Sequence, residues 1–350
     1  MDYRELRQKF ISFWEGKGHT LVPSSSLVPQ HDASVLLTTA GMQQFKPYFT
    51  GTPSPYGAKV ISIQKCFRTA DIDEVGDDTH LTFFEMVGHF SFGDYFKEEA
   101  LKMAWEFITA PEHLGIDPKR IYATYYNGDK PGTTADDTSK QILESLPGLT
   151  KVLADGAADN FWGPTGSSGP CGPNVEFYVD GVEIWNEVFN EFYCETNGTL
   201  TPLSIPGVDM GGGLERILTA VTPEAASFYD TDAFLPIIAA IKQHAPGAGE
   251  NERSLRIVAD HLRGSVFLLS DHIQPSNKEQ GYILRRLLRR AILHLDKLGA
   301  IAGFDEIINT IIDQYGEFYP ELPGEREMIL QLANLERDKF LKTINDGQKN

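Results

Sequence analysis

Asp209-Met210-Gly211-Gly212-Gly213-Leu214-Glu215-Arg216 reads as a strand that ends in glycine and turns directly into a helix. Gly211 and Gly213 carry no side chain, so the backbone there can approach a substrate closely. Upstream, Gln64-Lys65-Cys66-Phe67-Arg68 reads as a strand, followed by an acidic loop from Asp71 to Asp78 and the aromatic strand Leu81-Thr82-Phe83-Phe84-Glu85-Met86. Alternation puts Leu81, Phe83 and Glu85 on one face and Thr82, Phe84 and Met86 on the other. One phenylalanine should therefore face a ligand while its neighbour enters the core. For that strand alone, two core phenylalanines would be the commoner outcome; pairing with the Gly-x-Gly-Leu-Glu-Arg turn favours a site.

Around these stretches the pattern is α+β. Tyr3, Leu6, Phe10, Phe13 and Trp14 recur at helical spacing, and Gly16 and Gly18 end that helix. Strands are expected at Val35–Thr39, Val60–Phe67, Leu81–Val87, Ile121–Tyr126, Val175–Val179 and Val182–Phe189, with another before Gly211. Asp94 is the expected cap of a helix that runs to about Thr109, and Gly163–Pro173 reads as a loop. From Thr231 onward helices follow one another, one of them carrying the apolar stripe Leu284, Leu288, Ala291 and Leu295. An antiparallel-sheet domain over residues 1–246 and a helical domain over 247–350 are expected, divided near Pro246-Gly247-Ala248-Gly249.

With 350 residues, 41% of them hydrophobic, the chain can bury a large core. Its N-terminus is an amphipathic pattern rather than a signal peptide, and no apolar run is long enough to span a bilayer. Cys66, Cys171 and Cys194 are scattered, which indicates neither a disulfide framework nor a zinc site and fits a reduced cytoplasm. A net charge of −18 by itself argues against nucleic-acid binding. Position counts for more than the sum: Arg285, Arg286, Arg289 and Arg290 have no acidic partner at i±4, so a stripe of uncompensated charge for RNA phosphates is expected.

The strand, acidic loop and aromatic strand, with the later Gly-x-Gly-Leu-Glu-Arg turn, resemble motifs 2 and 3 of the class II aminoacyl-tRNA synthetases. Thr39-Ala40-Gly41-Met42-Gln43-Gln44-Phe45-Lys46, Phe90-Ser91-Phe92-Gly93-Asp94-Tyr95-Phe96-Lys97 and Glu183-Ile184-Trp185-Asn186 narrow the resemblance to the alanyl members. The resemblance implies a class II sheet flanked by helices, then an all-helical domain for the tRNA acceptor stem. It implies an alanine–tRNA ligase that forms alanyl-adenylate from ATP, with Mg²⁺, and charges tRNA(Ala). A catalytically inactive RNA-binding relative is the alternative. A free-standing editing hydrolase would need zinc ligands of the His-x-x-x-His type, which are absent.

Residue by residue, the resemblance gives Arg68 the α-phosphate and the amino-acid carboxylate, and Arg216 the far end of the triphosphate and the adenine. These two are the expected catalytic groups. His80, Phe83 and Gly213 complete the ATP site, with Phe83 chosen to stack the base. Asp209 takes the alanine ammonium, and Met42, Trp162, Asn186, Val188 and Gly211 form the rest of the alanine pocket. By residue type alone Met42 reads as core and Trp162 as structural. Ile184, Asn186, Val188 and Asn190 share one strand face. Asn277 is implied to read the acceptor stem, with a helix cap as the bland alternative, alongside Arg285, Arg286, Arg289 and Arg290. No metal ligand is assigned. The chain is expected to be a catalytic fragment, monomeric, without zinc or an editing domain. A hydrophobic pocket separates ligands one methylene apart by only about 1–3 kcal/mol, so glycine and serine should also be activated.

Overall fold

A computed structural model describes residues 1–247, 249 and 251–347. Ala248, inside the expected boundary, Glu250 and residues 348–350 lie outside the described residues. The chain forms two compact units. The first comprises Met1–Ser25, Pro29–Cys66 and Glu85–Pro223; the second comprises Ser26–Val28, Phe67–Phe84 and the chain from Glu224 onward.

Among the described residues nine strands form one largely antiparallel sheet: β1 (Thr20–Leu21), β2 (Lys59–Phe67), β3 (Phe83–Ser91), β4 (Ile121–Tyr126), β5 (Val152–Asp155), β6 (Phe161–Trp162), β7 (Gly169–Val179), β8 (Val182–Cys194) and β9 (Leu200–Gly213). The spatial order is β1-β2-β3-β9-β8-β7-β4-β5, with β6 paired to β7; β1 with β2 and β4 with β5 run parallel. The helices of the first unit are α1 (Tyr3–Gly16), α2 (Lys97–Thr109), α3 (Asp137–Ser145), α4 (Ala157–Asn160) and α5 (Leu214–Ala220). The side chain of Asp2 caps α1 by accepting the Glu5 N–H at 2.7 Å, and α1 buries Leu6, Phe10, Phe13 and Trp14 as its periodicity predicts. At Asp180-Gly181 both φ angles are positive, the geometry of a tight two-residue hairpin turn, and this joins β7 to β8.

Three local expectations are corrected. Val35–Thr39 forms a bend in irregular backbone, not a strand: the Thr39 N–H donates to the Gln43 side chain at 3.1 Å, and the chain runs on into a 3₁₀ helix at Gly41–Phe49. Gly169–Pro173 is the start of β7 rather than loop. Its glycine and proline content hid a strand whose glycine allows close approach, since a Cβ on Gly172 would lie 1.8 Å from the Phe189 carbonyl oxygen. Finally, α2 begins at Lys97 after Phe96, with no side-chain cap. The Ser91 hydroxyl accepts the N–H groups of Asp94 and Tyr95, and the Asp94 carboxylate turns toward Lys59 at 3.9 Å.

The second unit is helical: α6 (Leu235–His244), α7 (Glu252–Ser270), α8 (Glu279–Lys297), α9 (Phe304–Tyr315), α10 (Glu321–Gly324) and α11 (Arg326–Gly347). Side chains of α7 are buried nearly all round, whereas α8 buries one stripe that contains Leu284, Leu288, Ala291 and Leu295 as expected. Segment Phe67–Phe84 is anchored here by Asp260, whose carboxylate accepts the Thr82 N–H at 2.9 Å and the Thr82 hydroxyl at 2.6 Å. The same carboxylate lies 2.8 Å from His261 Nδ1. Asp260→Ala should leave these buried groups unpaired and destabilise the chain by about 2–4 kcal/mol. A urea midpoint equal to that of the wild type would refute this anchor.

Candidate functional site

In the first unit β3, β9, β8 and β7 lie side by side, and their register collects one face. Asp209 pairs with Phe90 on one side and Val188 on the other; Asn186 pairs with Gly211 and with Glu176. Residues opposite one another in an antiparallel ladder project to the same face. Val188, Asn186, Asp209 and Gly211 are therefore brought together as expected, with Asn174 and Glu176 of β7 beside them. The Oδ1 of Asn186 accepts from Asn174 Nδ2 at 2.8 Å, and its Nδ2 donates to Glu176 Oε1 at 3.4 Å. Neither partner was legible from the β8 motif. Met42 is buried in an apolar cluster with Phe45, Phe49 and Phe90, against which Trp162 is partly buried.

The glycines differ in what they permit. A Cβ on Gly211 would come within 2.8 Å of Met86 Sδ, and one on Gly212 within 2.7 Å of the Ile184 carbonyl oxygen. At Gly213 a Cβ would meet only Arg216 side-chain atoms, at 3.7 Å and beyond. The protein's own packing thus demands glycine at 212, while the bare backbone at Gly213 has room beside it. Arg216 donates to the Glu183 carboxylate at 3.1 Å.

Asp209 is 5% exposed, and among the described residues no donor hydrogen-bonds its carboxylate. Burial, and then the charge of Glu187, push its carboxyl up to about 8. Glu187 belongs to the opposite sheet face, where Trp185 Nε1 donates to it at 2.7 Å and His89 Nε2 lies 2.8 Å away. Trp14 stacks on the His89 ring with centroids 3.9 Å apart. A buried carboxylate with an acid behind it can pair with a small cation. Burial also raises Glu176, to about 7, despite the hydrogen bond from Tyr178 that opposes it.

In the second unit the two phenylalanines exchange the parts expected of them. Phe83 is wholly buried: its ring stacks on Phe267 at 4.1 Å, and the Arg263 guanidinium lies 4.8 Å from its centroid. Phe84 is half-buried, with the Arg68 guanidinium 5.0 Å from its ring. Strand alternation required one ring in and one out; the aromatic cage around Arg263 decides which. His80 is held at Asp77 by a 2.6 Å contact.

The expectation of uncompensated arginines on α8 is corrected for two of the four, Arg286 and Arg289. Arg286 pairs with Asp73 at 2.7 Å, Arg289 with Glu336 at 2.6 Å, and Arg290 donates to the Ile72 carbonyl and contacts His261. Arg285 donates to Asn277 Oδ1. These partners come from distant sequence, so a search at i±4 misses them. Asn277 is exposed and does not cap α8, whose N-cap is Lys278 without a side-chain bond. Among the described residues no group of three or more His, Cys, Asp or Glu is arranged to hold a metal ion, and no helix is long and apolar enough to cross a membrane.

Comparison with known proteins gives the following. Residues 5–183 and 181–350 match the family described as tRNA synthetases class II (A). An alanine–tRNA ligase of Treponema pallidum is 42% identical over 371 residues, covering 98% of this chain and 61% of its own length. Those of Rubrobacter xylanophilus and Borrelia hermsii are each 40% identical over all of this chain, which spans 43% and 63% of their respective lengths.

Proposed function

We propose that this chain, which belongs to the class II (A) tRNA synthetases, activates alanine with ATP and transfers it to the 3′ end of tRNA(Ala). Residues 1–246 would serve aminoacylation and residues 247–350 tRNA recognition, in a cytoplasmic monomer. The observation that carries the alanine reading is Asp209, a buried carboxylate without a donor, on a sheet face floored by glycine and walled by Val188 and Asn186. An α-ammonium pairs with Asp209 and regains what both charges lose on leaving water. Val188 beside Asp209 would set the limit on the side chain.

In the reaction an alanine carboxylate oxygen attacks the α-phosphorus, and the bond from that phosphorus to pyrophosphate breaks. Arg68 would hold the carboxylate and the α-phosphate, Arg216 the far phosphates. Phe84, rather than Phe83, would then be the adenine platform once Arg68 turns to phosphate. Mg²⁺ supplies neutralisation of the triphosphate charge when bound. An ion carried mainly by the nucleotide's phosphate oxygens would need few protein ligands. At the RNA surface the Arg286–Asp73 pair is exposed on both sides and contributes little, so a phosphate can replace Asp73.

Alanine-dependent ATP–pyrophosphate exchange tests this. Arg68→Ala should lower the exchange at least about 100-fold, the scale of removing one donor to a developing anion. A folded wild type that binds RNA yet shows no exchange would support the inactive, RNA-binding alternative instead.

A further inference from the structure

Arg290 serves two acceptors with one nitrogen. Its Nη1 donates to the Ile72 carbonyl and lies 2.9 Å from His261 Nε2. A guanidinium has donors only, so His261 Nε2 accepts this bond. The other ring nitrogen, Nδ1, faces the Asp260 carboxylate at 2.8 Å and carries the proton that the carboxylate accepts. Burial lowers the pKa of His261, in keeping with a neutral ring in this one tautomer.

Both branches lead to the segment that carries Arg68. Through His261 and Asp260 the first reaches Thr82, whose carbonyl accepts the Arg68 N–H at 2.8 Å. The second ends at Ile72, four residues after Arg68, where Ile72 and Val75 sink the acidic loop into the second unit at 1% and 0% exposure. Arg286, one turn earlier on α8, is different in kind. Its partner Asp73 is an exposed carboxylate, which a phosphate can replace. The acceptors of Arg290 are the carbonyl of a buried residue and a buried imidazole, and drawing the guanidinium out to RNA would leave both unpaired.

On the reading that Arg68 holds the α-phosphate, we propose that Arg290 is a positioning residue for adenylate formation, holding the backbone around Arg68, rather than a phosphate ligand of the RNA surface. The tie runs through hydrogen bonds of fixed direction, so it requires a donor at position 290 and an acceptor at His261 Nε2.

Alanine-dependent pyrophosphate exchange in the absence of tRNA separates the two roles, because a residue that only binds RNA has no part in it. Arg290→Met keeps much of the side-chain length and removes every donor. Its KM for ATP is expected to rise about tenfold, the scale of a lost hydrogen bond from a charged group. A mere loss of folded protein would lower the apparent kcat and leave KM in place. Lysine keeps a charged donor with three protons, so Arg290→Lys should recover part of the KM. Hydrogen exchange of residues 69–78 reads the loop directly, where the Val75 N–H donates to the Asp71 carbonyl at 3.1 Å. It should be faster in Arg290→Met than in the wild type. Should the methionine variant not fold, Arg290→Lys is compared with the wild type, and both its KM and its loop exchange should be raised. A folded Arg290→Met with wild-type KM and loop exchange, a lysine variant no better than methionine, or, where only lysine folds, a lysine variant equal to the wild type overturns this inference and leaves the alanine reading intact. A folded wild type without alanine exchange overturns both.

Discussion

Asp209→Asn is expected to lower alanine-dependent pyrophosphate exchange about a thousandfold while stabilising the folded chain at alkaline pH. Removing one partner from a buried charge pair typically costs about 2–5 kcal/mol, and the upper part of that range corresponds to the expected loss. The gain in stability follows from linkage. Burial and Glu187 raise the folded-state pKa of Asp209 from the ordinary 3.8 to about 8. The native state therefore holds this proton more tightly than the unfolded chain does. The stabilisation that proton confers is complete below about pH 4 and is lost progressively as pH rises through about 8. Asparagine does not titrate, so the variant's advantage should be absent at pH 4 and on the order of 1 kcal/mol or more at pH 8.5. Urea midpoints at the two pH values measure it; equal differences at both would sink the account. The same carboxyl predicts that kcat/KM for alanine in the wild type rises with pH up to about 8, because only the ionised form pairs with ammonium.

Gly172→Ala should unfold the sheet where Asp209→Asn leaves it standing. An alanine Cβ at this position falls 1.8 Å from the Phe189 carbonyl oxygen and 3.1 Å from the Glu191 nitrogen. Both are backbone atoms of β8, so no side chain can swing away; β7 must part from its neighbour. A loss of about 3–5 kcal/mol, or insoluble protein, is expected. Gly213→Ala is the control for folding: its φ is −67° and its Cβ has ordinary van der Waals room, so its thermal midpoint should stay close to that of the wild type. If Gly172→Ala melts with Gly213→Ala, close strand approach is not what keeps glycine at 172.

The first half of the site was readable because its chemistry is local. Asp209 and the glycines after it are consecutive, and Asn186 and Val188 occupy alternate positions of a strand whose period is fixed at two. Phe83 and Phe84 show where local reasoning stopped. Alternation demands that the two rings diverge, but burial of Phe83 depends on Phe267 and Arg263, far along the chain. Arg286 and Arg289 of α8 were misread for the same reason. Their carboxylate partners Asp73 and Glu336 are some 213 and 47 residues away, beyond any helical spacing rule.

Residue order alone settled the α+β class, the strand-to-glycine-to-helix turn, the amphipathic α1 and the stripe of α8, because each follows from the periodicity or conformational freedom of neighbouring residues. Register was left to the folded sheet. Counting back from the Asp180-Gly181 turn would set Asn186 opposite Val175, but an irregularity between Phe177 and Tyr178 sets it opposite Glu176. One extra residue in a ladder exchanges the two faces of a strand. Whether an insertion of that kind occurs depends on how the whole sheet packs, and the order of residues does not carry that information.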